Sequence, residues 1–334
     1  MTINLLTSRN QWDRFVDDSP HGLLYHKWDF LKLVEKYTGY KLLPYGIYKG
    51  EQIICVFPLF YKKIFGVKMV FSPPPQSGIP YLGPVMNKEY DSVKQDKRES
   101  YMNQVAQEID DELKKIAPNY FSVIMVPGFI DIRSFQWMNY QVNPSYTYTF
   151  DLSPTPEDLL KNFTTTCRQN IRKGKNSSCQ MVKCDDALVL TDLLTERYSE
   201  QGLNYAVNPD YLKEALNTYP ENLDFYCLID NDEIIGAIIA QAYKLYLGWM
   251  GLSKPKSDKF KYANEFMIWQ LMQRAKSLGF NKFEISGANK QSLCKYRTKF
   301  NPQLELYFTI ARKDTFGVIA EAFYYNFIKR SKVH

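Results

Sequence analysis

The sequence predicts an α/β protein with mixed sheets, built as two related units. Three observations lead there. Strand-like and helix-like periodicities alternate along all 334 residues, a length that suits two domains at roughly 150 residues each. With 45% hydrophobic, 15% aromatic and 23% charged residues, the chain has apolar material for sizeable cores and none of the bias that keeps a chain disordered. Residues 46–74 also slide without gaps onto 227–255, at a shift of 181. In each copy a strand leads through a polar turn (Lys49-Gly50-Glu51, Asp230-Asn231-Asp232) to a strand starting Ile-Ile, a further strand and a Ser-x-Pro exit, after which a helix and another strand follow. The units are expected at 1–148 and 149–334.

The elements follow in order. Residues 11–40 read as a short helix, a Ser-Pro turn and a second helix closing near Gly39. Residues 42–72 are rich in Ile, Val, Phe and Tyr and read as strands, with Lys49-Gly50 as a hairpin turn. A Pro/Gly loop, a polar helix over about 92–116 and strands at 120–126 and 145–152 complete the first half. The second half opens on a helix around 159–175, followed by a strand at 179–184 and helices over about 187–201 and 209–218. Three strands between Leu223 and Leu252, a Lys-rich loop, a strongly apolar helix, strand 282–286, a short helix, strand 304–311 and a terminal helix finish the chain.

The net charge of +6 (42 basic, 36 acidic) is too mild to announce a nucleic-acid partner, and both halves are nearly balanced, so an anionic partner must be met by local clusters. Six cysteines (55, 167, 179, 184, 227, 294) form no CxxC pair and read as reduced, inert thiols. With only His21, His26 and His334, a His-based metal site or triad has little to draw on, and no metal is expected. No apolar run approaches the roughly 20 residues that span a bilayer, and the first residues lack the apolar core of a signal peptide. A soluble, cytoplasmic protein is expected.

Three clusters could carry chemistry. On the helix at 159–175, Lys161, Arg168, Arg172 and Lys175 form one stripe, and Leu160, Phe163, Cys167 and Ile171 the opposite one. From Lys161 to Lys183 there are six basic residues and no acidic one, which suits a phosphate or pyrophosphate gripped by Arg168 and Arg172. A solvated surface face is the plainer reading. In the loop before the apolar helix, Lys254, Lys256, Lys259 and Lys261 precede Asn264, a good N-cap. A basic loop feeding a helix N-terminus favours an anion through free N–H groups and the helix dipole. No P-loop or dinucleotide-binding string accompanies it. In the third cluster, residues 283–301, Glu284 and Ser286 alternate with Phe283 and Ile285 on a strand running into Gly287, and the helix beyond carries Lys295, Arg297 and Lys299. Glu284 and Tyr296 are the candidate general bases.

The order of these features resembles the GNAT acyltransferases: strands, a basic loop at a helix start, a helix ending LGF, then KFEISGA and KYRTKFN. More closely it is similar to the FemAB and BioF2-like branch, whose members carry two tandem GNAT-like units. SPHGLLYHKWDFLKL looks like that branch's opening, and CRQNIRKGK like its Arg-rich segment. The likeness covers roughly residues 10–312. It implies transfer of an acyl or aminoacyl group onto an amine, from acyl-CoA or aminoacyl-tRNA, commonly in cell-wall or surface-glycan synthesis. No tightly bound cofactor is implied. Arg168 and Arg172 match the Arg-rich helix, and Lys299-Phe300 matches a Lys-Phe element of the branch. Arg297 stands where a Lys is often found, and Glu284-Ile285-Ser286 where Asp-Phe-Gly is often found.

The leading expectation is therefore an N-acyltransferase using acyl-CoA, with its donor site in the second unit and an amine of a glycan, peptide or small molecule as acceptor. One rival is an aminoacyl-tRNA-dependent enzyme acting on a peptidoglycan-type precursor. Another is a non-catalytic module for anionic glycans or nucleic acids. The first unit, with Ser72-Pro73-Pro74-Pro75 in place of the Lys-rich loop, is expected to have lost donor binding.

Overall fold

The computed structural model describes residues 1–129, 131–200, 202, 207–253 and 261–323. Its strands are β1 (Thr2–Leu5), β2 (Lys41–Lys49), β3 (Gln52–Ile64), β4 (Val67–Ser72), β5 (Val85–Met86), β6 (Tyr120–Ile124), β7 (Gln141–Asp151), β8 (Gln180–Lys183), β9 (Leu223–Asp230), β10 (Glu233–Ala242), β11 (Tyr246–Ser253), β12 (Lys282–Ile285) and β13 (Gln303–Lys313). Its helices are α1 (Arg9–Asp18), α2 (Trp28–Thr38), α3 (Gln95–Ile116), α4 (Arg133–Trp137), α5 (Pro156–Asn162), α6 (Thr165–Asn176), α7 (Ala187–Ser199), α8 (Pro209–Thr218), α9 (Ala263–Ser277), α10 (Gln291–Arg297) and α11 (Thr315–Phe323). The fold is the expected mixed α/β architecture. Contacts divide it into two compact units, one of residues 1–145 with the chain from Leu306, the other Tyr146–Glu305.

In the first unit the strand order is β1-β2-β3-β4-β6-β13, with β5 added beside β3. β2, β3 and β4 form an antiparallel meander, then α3 crosses over and β6 returns parallel to β4, Met69 opposite Tyr120. Local chemistry explains the helix ends. The Ser8 side chain caps α1 by accepting from the Gln11 amide, and Gly39 closes α2 at φ +66°, a left-handed conformation that glycine adopts without steric cost. His26 is buried as a structural residue: Nδ1 accepts from the Leu23 amide at 3.1 Å, which leaves Nε2–H to donate to the Leu82 carbonyl at 3.2 Å. Buried Asp110 on α3 accepts from Tyr140 (2.7 Å), Arg312 (2.7 Å) and Lys114 (2.8 Å), so strand β13 is tied by charge as well as by its ladder.

The C-terminal boundary departs from the expectation. Residues 306–323 were expected with the second unit, but β13 pairs antiparallel with β6, Ile310 opposite Val123. Helix α11 packs so tightly on the start of β6 that a Cβ at Gly317 would fall 2.0 Å from the Asn119 carbonyl oxygen.

The second unit repeats the plan. Its strand order is β7-β12-β11-β10-β9-β8. β9, β10 and β11 form an antiparallel meander, α9 crosses over, and β12 returns parallel to β11. The 181-residue echo is thus structural: the hairpin pairs Lys49/Gln52 and Asp230/Glu233, and the strand ends Ser72 and Ser253, correspond one to one. Each meander is closed by a parallel strand, whose far side takes an antiparallel partner (β13 on β6, β7 on β12). Helix α9 is apolar on most faces because it lies in the core with Phe266, Met267, Trp269, Leu271, Met272 and Ala275 buried. All six cysteines are free. Among the described residues no helix is long and apolar enough to cross a membrane.

The helix expected over 159–175 is two helices. α5 ends at Asn162, and Thr164 starts α6 by accepting from the Cys167 amide. The apolar stripe survives the break: Phe163, Cys167, Ile171 and Gly174 are all buried against α9. At Gly174 a Cβ would meet the Phe266 ring at 2.5 Å, so glycine sets how closely the two helices approach.

Candidate active site

β11 and β12 pair only from Tyr246–Phe283 to Gly248–Ile285. There β12 ends, whereas β11 runs on to Ser253. The divergence has a local cause. The β10–β11 register shifts, with Ile239 opposite Met250 but Ala240 opposite Gly248, so Trp249 is an extra residue on β11 and bends that strand. Beyond the bulge the side of β11 turned away from β10 has no neighbouring strand among the described residues. An extended, amide-bearing ligand can add to such an edge as a strand would.

The same strand end leads to α9. Lys254, Lys256 and Lys259 lie outside the described residues; Lys261 is exposed. Asn264 is not the N-cap. The helix starts two residues earlier, at Ala263, with Tyr262 in the N-cap position and making no side-chain cap. Asn264 Oδ1 instead accepts from the Ser253 amide at 3.0 Å and holds the end of β11 against the start of the helix. The first-turn N–H groups of α9 are therefore left without a side-chain cap, and the helix dipole adds positive potential there.

The basic residues of the 161–175 stretch separate into different roles. Arg168 turns back onto the α5–α6 junction, donating from Nη1 to the Lys161 (3.0 Å) and Phe163 (2.6 Å) carbonyls and from Nη2 to Thr165 Oγ1 (3.3 Å). It clamps the end of α5, satisfying carbonyls that the helix leaves open. Arg172 is exposed on α6. Lys161 pairs with Asp158, and Lys175 lies over the Trp269 ring at 5.4 Å.

Tyr296 and Lys299 are brought together, with a partner that the sequence did not suggest. Lys299 Nζ lies 5.3 Å from the Tyr296 ring centroid and 3.4 Å from Oε1 of Glu265, which is buried in the first turn of α9. Asn170 of α6 donates to the same oxygen at 3.2 Å. The backbone carbonyl of Lys299 also accepts from the Thr164 amide, locking the turn after α10 to the start of α6. Burial, reinforced by the Glu265 charge, pushes the Tyr296 hydroxyl well above the ordinary phenol range and so favours its protonated form. Burial, again with Glu265 beside it, pushes the Cys167 thiol up to about 12.

Arg297 folds under the strand end. Gly287, at φ +95°, leaves room for the guanidinium, since a Cβ there would sit 2.4 Å from Nη1. Burial lowers the pKa of this side chain, against the pull of Tyr296, Cys294 and Tyr148. Glu284 is fully buried on β12 and accepts from Thr147 Oγ1 at 2.8 Å.

Glu265 Oε2, Trp269 Nε1, Tyr296 Oη and Arg297 Nη1 are among the buried polar atoms of this unit that make no hydrogen bond among the described residues. Buried donors and acceptors left this way cost about 1–3 kcal/mol each, which is the pattern of a region that takes a ligand or water. Glu265, Asn170 and Trp269 escaped the sequence reading. The available signal was a single carboxylate, Glu265, immediately before the largely apolar run FMIWQLM.

The sequence of residues 161–296 matches the family described as acetyltransferase (GNAT) domain. The second unit carries a GNAT acyltransferase domain. Three solved structures share the fold over nearly the whole chain. FemX superposes with a TM-score of 0.66 at 11% identity, over 92% of this chain and 97% of its own. The L-PGS structure from Bacillus licheniformis gives 0.56 at 11%, over 98% and 99%. A tandem GNAT protein from the clavulanic acid biosynthesis pathway gives 0.55 at 8%, over 93% and 97%. At these identities the likeness concerns the fold, which is that of the FemAB-like, tandem GNAT proteins. No curated protein sequence matches the chain.

Proposed function

We propose that the second unit of this acyltransferase takes its acyl group from acyl-CoA and passes it to an amine of a glycan, peptide or small molecule. The observation that carries this reading is the end of β11: an edge that loses its neighbouring strand at Gly248 and is held at Ser253, by Asn264, against the start of α9, where no side-chain cap is found among the described residues. The edge suits the amide-bearing arm of the donor, and the helix start suits its pyrophosphate. Lys261, with Lys254, Lys256 and Lys259 in the preceding loop of the sequence, adds positive charge to that end.

In the reaction the acceptor nitrogen attacks the thioester carbonyl carbon, the C–S bond breaks, the CoA thiolate leaves and the amine gives up one proton. Positioning and stabilisation of the oxyanion supply most of the acceleration in such a step. Tyr296, kept protonated by burial, is suited to donate a hydrogen bond to a leaving thiolate; Glu284 is the carboxylate candidate for taking the amine proton. Lys299, held by Glu265, and Arg297 offer N–H donors for developing negative charge or phosphate.

Calorimetry with acetyl-CoA and other acyl-CoAs, followed by a coupled thiol-release assay over an amine panel, tests the proposal. Binding of acyl-CoA and amine-dependent thiol release are expected, with Lys299→Ala lowering kcat/KM by at least about tenfold, the scale of one charge-assisted contact. Absence of CoA binding together with salt-sensitive capture of aminoacyl-tRNA on filters would transfer the donor role to tRNA and overturn it.

A further inference from the structure

The hairpin between β3 and β4, in the first unit, goes against local preference in three ways. Its turn residues Phe65 and Gly66 both have positive φ, +47° and +87°. Such turns favour Asn-Gly, because a bulky side chain in the left-handed region costs about 1–2 kcal/mol. The first position here is phenylalanine, and its side chain is wholly in water, at 103% relative exposure. On the ladder just behind it, Lys63 stands opposite Lys68, a pairing of like charges that weakens a hairpin. Ile64, between them, is 40% exposed. Of the lysines nearest the tip, Lys62 donates to the Thr38 carbonyl (3.1 Å) and Lys68 to the Ile116 carbonyl (3.0 Å), neutral acceptors that leave the positive charge in place, and Lys63 is exposed.

Helix α11 adds apolar surface beside this tip. Gly317 faces the start of β6, so Phe316, Val318 and Ile319 look outward, at 69%, 53% and 60% exposure. The hairpin and the helix border one recess of about 300 Å³, into which Ile64 and Val67 project from one side and Ala320 from the other, with Tyr40, Phe71 and Tyr120 as its aromatic wall. A hairpin tip that holds Phe65 wholly in water, beside an exposed Lys63, gains nothing for the fold from that side chain. It gains a great deal at a surface that is apolar inside and negatively charged at its rim.

We propose that this face of the first unit docks on an anionic lipid bilayer. Phe65 enters the boundary between headgroups and acyl chains, Lys63 meets lipid phosphates, and the outer side of α11 lies along the same surface. The charge pattern selects this occupant over a second copy of the chain, whose identical lysines would be brought against these.

Flotation of the full chain with phosphatidylglycerol-containing vesicles, against pure phosphatidylcholine vesicles, tests the proposal. Binding to the former and not the latter is expected, weakening with salt. Phe65→Asn, which supplies the residue this turn prefers, should keep or raise the melting temperature while weakening vesicle binding about tenfold. Lys63→Gln should weaken it about fivefold. The proposal is overturned if the wild-type chain ignores charged vesicles, if Phe65→Asn binds them as well as wild type, or if the Phe65→Asn change abolishes a concentration-dependent dimer in a chain that does not bind vesicles. None of these readouts depends on acyl transfer.

Discussion

Gly174→Ala sets two effects of opposite sign against each other. In the interior of a helix, replacing glycine by alanine is intrinsically favourable by about 1 kcal/mol. Here the new methyl would lie 2.5 Å from Phe266 Cγ, 2.7 Å from Cδ2 and 2.8 Å from Cβ, each roughly 1 Å inside normal contact. These atoms belong to a ring root fixed in the core of the second unit, not to the far end of a flexible side chain, so rotation cannot relieve them and α6 must move off α9. Overpacking of this kind costs about 1–3 kcal/mol, and three simultaneous close contacts argue for the upper end. The net expectation is a loss of about 2 kcal/mol, or a fall in Tm of about 4–8 °C for a unit of this size. Scanning calorimetry measures it. Gly174→Ala combined with Phe266→Leu should be less destabilising than the two single changes added together, since the leucine vacates the space. A Tm that rises in Gly174→Ala would show that propensity wins and that α6 and α9 are not in the contact described.

Further outcomes follow from other sites. Burial works against the Asp110 charge, but hydrogen bonds from Lys114, Tyr140 and Arg312 outweigh it and hold the carboxyl below its ordinary range. Its contribution is therefore present above the ordinary carboxylate pKa near 3.8 and is lost as pH falls through the depressed value. Asp110→Asn should cost about 2–3 kcal/mol at pH 7 by urea denaturation, with the gap to wild type closing under acid. Arg168→Ala should lower stability by about 1–2 kcal/mol through the lost clamp on α5, with the KM for the acyl donor changed by less than about twofold. A large rise in that KM would return Arg168 to the phosphate.

Much of this architecture is legible in the sequence because it is written in local chemistry. The echo between 46–74 and 227–255 located both meanders. Gly39 and the Thr155-Pro156 start of α5 carry their own helix punctuation. What escaped depends on distant partners. The 159–175 stretch has continuous helical spacing, yet it breaks at Phe163 because Thr164 caps a new helix and Lys299 receives its amide. Asn264 has the right chemistry for a cap but is already the second residue of the helix, and its side chain serves the Ser253 amide. The basic stripe reads from spacing alone as an anion-binding face or a solvated one, whereas Arg168 serves backbone carbonyls and Lys161 a neighbouring aspartate. Glu265 went unnoticed because nothing in its own neighbourhood reveals that Asn170 and Lys299 will meet it. No periodicity says which strand lies beside which, so the assignment of β13 to β6 was out of reach.

That last pairing bears on how the protein is made. β6 emerges from the ribosome with β4 already available on one side, but the residue opposite Ile124 on its other side is Thr309, about 185 positions later. At bacterial or eukaryotic synthesis rates of about 5–20 residues per second, the nascent chain carries an unfilled strand position for about 10–40 s. Through that interval Phe121 and Val123, buried in the finished protein, flank backbone groups ready to accept whatever strand arrives first. The unit that contains β6 is thus completed only after the intervening second unit has been synthesised, and until then its open edge is exposed to stray pairing.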